Sequence, residues 1–232
     1  MRKLGACTLL IGALFLSGCR FNIWPFSGEI EGNGKVESEI RNVRADFTRV
    51  IATSGFTVIV QQADAYAVRV EADKNILKYI STEVSGGEIE ITTTRRIGSA
   101  SSKTVYVYLP EVRGLFARSD ATLKSKGVIK GQHLELQARS DAVMEVEVQV
   151  QMLSCQVRSD AVLEISGITQ LLEAQARSDG YLDASQLMAS TVEVEARSDG
   201  NARVHALDRL EITENSGGEV SHSGNPQKVI TN

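Results

Sequence analysis

Proline, cysteine and aromatic residues are all scarce in this chain. Three prolines in 232 residues compare with roughly a dozen at average usage. That shortage excludes a Pro-rich linker or stalk, and it suits a backbone whose N–H groups go mostly into sheet ladders. Three cysteines are too few for a disulfide-stapled scaffold. Aromatics make up 5% with a single Trp, which leaves little for sugar-stacking platforms. An excess of positive charge is also missing: the net charge is −4, which argues against a general nucleic-acid binder. The three histidines, His133, His205 and His222, have no Cys or carboxylate at ligand spacing. No metal or other cofactor is expected, although His205 and His222 could approach on successive repeats. Gly32-x-Gly34 has no third spaced glycine and no following helix, so it is not a dinucleotide loop. Apolar content of 42% excludes a wholly disordered chain.

The one long apolar run, Leu4 to Leu16, is too short to cross a bilayer as a helix, which needs roughly 20 residues. It follows Arg2-Lys3 and precedes the small residues Ser17-Gly18, the pattern of a secretory signal peptide over residues 1–18. Leu16-Ser17-Gly18-Cys19 resembles a bacterial lipobox. The resemblance implies a diacylglycerol thioether on Cys19, cleavage before it and acylation of the new amino group. Several buried acyl chains anchor a protein stably, each CH₂ contributing about 0.8 kcal/mol. Arg20 rather than Asp after the cysteine points to the outer membrane. Residues 19–31 read as a tether in which Trp24 and Phe26 either rest at the membrane interface or pack on the domain. Cleavage removes Cys7, Arg2 and Lys3, leaving a mature charge of −6 and Cys155 as the one thiol not carrying lipid.

The second half repeats. Arg-Ser-Asp recurs at Arg118, Arg139, Arg158, Arg177 and Arg197, followed by a degenerate Asn215-Ser216-Gly217-Gly218. Before each copy runs an alternating segment such as Leu134-Glu-Leu136-Gln-Ala138 or Leu172-Glu-Ala174-Gln-Ala176, the pattern of a strand with one apolar face. A fixed period near 20 residues built of strands and corners predicts a parallel β-helix or β-solenoid over 113–232. The asparagine consensus of leucine-rich repeats is missing, and the hairpin turns of a sandwich are scarce. Alternation predicts an inward column of motif serines, with the Arg and Asp columns outward. The Asp column is expected to supply counter-charges to the stacked arginines. Asp, replaced by Gly217 in the last copy and by Gly55 in the related Thr53-Ser54-Gly55-Phe56, marks a left-handed corner.

Residues 32–112 are β-rich but less regular. Strands are predicted at 56–62, 66–72, 88–92 and 104–109, with one or two helical turns over 73–80 capped by Asp73. Gly32-x-Gly34, Phe47-x-x-Val50, Ser54-Gly55, Val58-x-Val60-x-Gln62, Asn75-x-Leu77 and Gly87-x-Ile89-x-Ile91 together resemble the autotransporter-adhesin head domain family, called the GIN domain, a group of unknown function in bacterial envelope proteins. The resemblance covers about residues 32–225 as one continuous domain and implies a β-helix-like fold. This chain departs from it by writing Ser-Asp-Ala or Ser-Asp-Gly at the corners.

These observations lead to an all-β, non-catalytic, lipid-anchored envelope protein with adhesive or surface-binding character. The candidate binding strip is Arg118, Asp120, Arg139, Asp141, Arg158, Asp160, Arg177, Asp179, Arg197 and Asp199, facing an envelope glycan or protein partner. The same columns are also explained as a plain compensated charge ladder. No catalytic residue is assigned. A polysaccharide-acting enzyme and a structural spacer assembling end to end are the alternatives, since parallel β-helices include lyases and hydrolases. Cys155, between Leu153 and Val157 on the apolar face, reads as core.

Overall fold

A computed structural model describes residues 28–43 and 46–232. The signal peptide, Cys19, Trp24 and Phe26 lie outside the described residues. Sixteen strands form one continuous sheet that winds on itself. The predicted β-solenoid is therefore what the chain adopts, with coils of about 19 residues. Among the described residues there is no α-helix, and a single 3-10 turn spans Leu77–Tyr79.

The long strands of the stack are β10 (Ile129–Arg139), β11 (Val143–Arg158), β12 (Val162–Arg177), β13 (Tyr181–Arg197) and β14 (Asn201–Asn215). Each bends once, so its first half lies on one face of the coil and its second half on the other. β11 shows this directly. Its first half pairs in parallel with β9 (Thr122–Ser125), and its second half pairs with β10, which in turn pairs with β8 (Gly114–Arg118). Register follows the sequence repeat: Leu134 lies beside Leu153, Leu153 beside Leu172, and Leu172 beside Val192. The extra residue of the Arg177–Arg197 repeat is absorbed as a bulge opposite Glu164–Ser166. Inward Leu134, Leu136, Ala138, Leu153, Val157, Leu172 and Ala176 are all buried. Facing them across the coil are Leu123, Met144, Val146, Leu163 and Ile165. The resulting core is thin and aliphatic, which is why few aromatics suffice. Gly167 has φ of +114°, and a Cβ there would sit 2.0 Å from the Val148 carbonyl oxygen of the neighbouring coil, so this close approach admits only glycine.

The N-terminal part adds strands to both faces. β2 (Arg49–Ala52) and β6 (Glu88–Thr93) continue the β8 face in parallel. β3 (Thr57–Gln62) and β7 (Lys103–Leu109) continue the β9 face. Antiparallel strands then close the end: β4 (Ala67–Asp73) beside β7, β1 (Val36–Arg41) beside β4, and β5 (Ile80–Ser85) beside β6. Four of these strands lie within a residue of the sequence-based positions. Asp73 differs. The N-cap of the 3-10 turn is Ile76, with no side-chain cap, and Asp73 is fully buried instead. Its Oδ2 accepts hydrogen bonds from the backbone N–H groups of Ser101 (2.6 Å) and Ser102 (3.4 Å), which ties β4 to the loop before β7.

The last coil is completed by β15 (Glu219–Gly224) and β16 (Lys228–Thr231). They pair with the first and second halves of β14 respectively.

Candidate functional site

The corners decide where the motif side chains go. In every full Arg-Ser-Asp copy both Ser and Asp have positive φ: 56° and 61° at Ser140 and Asp141, 57° and 60° at Ser159 and Asp160. In the last copy Ser216 and Gly217 do the same. Two left-handed residues in succession swing the chain from one face to the other. Strict alternation therefore stops at the Arg. The motif serines do not form the inward column expected from alternation: Ser119, Ser140, Ser178 and Ser198 are exposed and Ser159 is half-buried. The inward position passes to Ala121, Ala142, Ala161, Gly180 and Gly200, all buried. The corners also hydrogen-bond to each other between coils, as from Asp120 N–H to Ser140 O and from Asp141 N–H to Ser159 O, both 3.1 Å.

The arginines do stack. Arg118, Arg139, Arg158, Arg177 and Arg197 are direct register partners on consecutive coils, and Asn215 ends the column. Sheet spacing puts neighbouring rungs about 4.8 Å apart. Two further polar columns run beside them on the same face. One is Gln137, Gln156, Gln175, Glu195 and Thr213, and the other is Glu135, Ser154, Glu173, Glu193 and Glu211. Each coil thus presents a Glu-Gln-Arg rung or a close variant of it.

The counter-charges come from these columns and not from the motif aspartates. Arg118 donates to Glu90 of β6 at 2.5 Å. Arg177 donates to Gln175 at 2.6 Å and to Glu195 at 3.1 Å, and Arg197 lies 3.4 Å from the other oxygen of Glu195. Among the described residues, Asp120, Asp141, Asp160, Asp179 and Asp199 make no ion pair within 4.0 Å. The expected Arg–Asp compensation is corrected accordingly. The left-handed corner turns the aspartate away from the sheet face, whereas a Glu two residues before the Arg shares that face. Compensation is also uneven along the column. Its two ends are paired, while Arg139 and Arg158 in the middle have no carboxylate within 4.0 Å among the described residues. An open groove of about 410 Å³ is lined by Arg118, Arg139 and Arg158 together with Ser119, Ser140 and Ser159. A second groove of about 440 Å³ follows the Glu and Gln columns, past Ser154, Gln156, Glu173 and Glu193.

A family model described as "Putative auto-transporter adhesin, head GIN domain" matches residues 46–226. The chain belongs to this GIN-domain family. Its fold is shared with a solved chain from Bacteroides fragilis NCTC 9343 described as "a putative adhesin". That likeness has a TM-score of 0.78 at 15% identity and covers 87% of this chain and 94% of that one. A second structure with the same description, from Parabacteroides merdae ATCC 43184, gives 0.74 at 17% identity over 88% and 96%. A third, from Parabacteroides distasonis ATCC 8503 and described as a "Putative lipid binding protein", gives 0.68 at 18% identity over 88% and 97%. At these identities the likeness concerns the fold alone. No curated protein matches.

Within this GIN domain the Glu and Gln columns are what motif reading passed over. Their signal lies in the polar positions of the alternating flanks, for which alternation alone predicts only an outward direction. The histidines do not come together. His222 is the register partner of Val204 rather than of His205, so the two imidazoles fall on opposite sides of the sheet. His205 Nδ1 instead hydrogen-bonds Ser223 Oγ at 2.8 Å. Among the described residues no three His, Cys, Asp or Glu side chains gather as metal ligands. Cys155 is buried in the core, and desolvation pushes its thiol well above the usual range. Such a thiol stays protonated and is a poor nucleophile.

Proposed function

We propose that this GIN domain is a non-catalytic, lipid-anchored adhesin of the cell envelope that holds an acidic glycan along its Arg column. The observation that carries this reading is the uncompensated pair Arg139 and Arg158, one coil apart, at the centre of a column whose ends are neutralised. Leaving two adjacent guanidiniums unpaired sacrifices a stabilisation that a Glu two residues earlier supplies at Arg197. It leaves their planar forks available to carboxylate, sulfate or phosphate groups. The flanking Glu, Gln and Asp side chains accept hydrogen bonds from sugar hydroxyls. They also repel nucleic acid, so a sugar chain that offers hydroxyls beside each acid group fits better than a phosphate backbone. A repeating ligand suits a repeating surface, because weak contacts on each coil add. The lipobox at Cys19 supports anchoring, and family membership supports placement at the envelope surface. The regular charge ladder favours binding over catalysis, which needs an asymmetric acid–base pair.

Affinity electrophoresis in gels containing polygalacturonate, with a neutral glucan as control, tests the reading. The protein should be retarded by polygalacturonate only, and less so as salt rises. The double variant Arg139→Glu/Arg158→Glu should lose at least tenfold in affinity while its thermal midpoint stays within a few degrees. Unchanged retardation in that variant sinks the Arg site. Release of reducing ends or unsaturated uronates by the wild-type protein, lost in Asp160→Asn, would establish the enzymatic alternative.

A further inference from the structure

The two ends of the solenoid are finished differently. Antiparallel strands β1 and β5 close the N-terminal end, and β1 carries Glu37, Glu39 and Arg41 along its edge. Charged edges of this kind resist pairing. The C-terminal end has no such closure. β15 and β16 pair only with β14, and β1 and β5 likewise pair on one side only, but among the described residues no antiparallel strand is laid over the last coil. The hydrogen bonds that are made fix which groups remain free. Glu219 N–H donates to Gly200 O at 3.0 Å, and Asn232 N–H donates to Ile212 O at 2.9 Å. Backbone groups alternate in direction along a strand, so His222 and Gly224 on β15, and Val229 and Thr231 on β16, aim theirs outward, as does Val220, whose N–H already donates to Glu214 Oε1 at 2.7 Å. Val229 occupies the inward column beneath Leu210, yet it is 50% exposed because no further coil covers it.

We infer that this end docks onto the same end of a second copy. β15 and β16 lie on opposite faces of one flattened coil. A two-fold axis perpendicular to both faces passes through both strands and sets each against its own copy, antiparallel. Both open edges are then satisfied at once, the exposed inward Val229 is covered, and the assembly closes as a dimer. Charge permits it. The charged residues of the two strands are Glu219 and Lys228, each at the start of its strand, so antiparallel pairing places each far from its own copy. The chain's own tether cannot fill the edge. From β6 to β16 the stack rises eight sheet spacings, about 38 Å, whereas the eight residues 20–27 reach at most roughly 28 Å. In the pair the two N termini point to opposite ends. Copies anchored at Cys19 in two facing membranes therefore meet end to end, and the glycan-binding faces of both lie on the same side. The contact is small and weak for a single pair, and it gains strength where many copies face one another.

The test uses the full lipidated chain in vesicles free of glycan, so its outcome is independent of the Arg column. Wild-type vesicles should cluster, measured by dynamic light scattering, with clustering rising with surface density. His222→Pro and Val229→Pro remove outward N–H groups without touching the bonds to β14, and each should abolish clustering. If either proline variant loses its β circular-dichroism signal, Val229→Lys, which sets a charge against its own neighbourhood, should abolish clustering instead. Ile40→Lys, on the exposed edge of the opposite end, should leave clustering intact. Vesicles that never cluster overturn the inference. So does clustering that survives the C-terminal substitutions, or clustering lost in Ile40→Lys.

Discussion

At the scale of single residues, this protein turns on the two left-handed positions at each corner. A left-handed conformation costs an L-residue with a branched Cβ about 1–2 kcal/mol, less for Asp or Asn, and nothing for Gly. Asp160 has φ of 60° and is exposed, so no burial offsets that cost. Urea denaturation should show Asp160→Val destabilised by about 1–2 kcal/mol. Asp160→Gly should stay within about 0.5 kcal/mol of wild type. The Asp half of the corner was legible in the sequence, because Gly55 and Gly217 stand in its place in two related copies. The Ser half was not. Serine has no marked preference for this region, and counting alternate residues cannot reveal where alternation stops. The same limitation hid the role of Asp73, whose position ahead of an apolar segment resembled a helix cap. Its partners, the N–H groups of Ser101 and Ser102, lie 28 and 29 residues away.

At the scale of elements, the unit is the coil. The strands from β10 to β14 are interchangeable in register over most of their length, so each coil contacts chiefly its two neighbours. Removing a whole coil should preserve the fold. Deleting residues 159–177 joins Arg158 to Ser178 and keeps the corner sequence intact. The product should retain its β circular dichroism and unfold cooperatively at a lower urea midpoint. Deleting residues 159–168 removes half a coil and leaves one face without its return strand, so that product should not fold. The coil was readable beforehand because its determinants are local: an alternating run, two corner residues and a small residue after them. The N-terminal strands were readable singly but their pairing was not. Nothing in residues 67–73 announces an antiparallel position between β1 and β7, since that choice is made by strands far apart in the chain.

At the scale of the whole molecule, the stack converts a repeated sequence into columns, and the columns acquire properties no single repeat has. Five like arginines become two compensated ends and an uncompensated centre. In the proposed dimer, an unclosed last coil becomes a surface for a second copy. Both proposals place the working surfaces away from the N-terminal end, which suits an anchor there. Growth with radiolabelled palmitate should label the wild-type protein, whereas Cys19→Ala should carry no label and leave the membrane fraction on cell lysis. A Cys19→Ala protein that still carries label and sediments with membranes would dismiss the lipid anchor.

Coil length, the inward and outward positions within each strand, and the thin aliphatic core follow from the sequence, although the corner serines do not. These depend on residues a few positions apart, where period-2 alternation and corner chemistry operate. Which arginines are neutralised depends instead on the stacking of the coils. Glu90 reaches Arg118 across 28 residues, and Glu195 reaches Arg177 across 18. Such partners are chosen by register between coils, so charges identical in the repeat meet different neighbours in the stack.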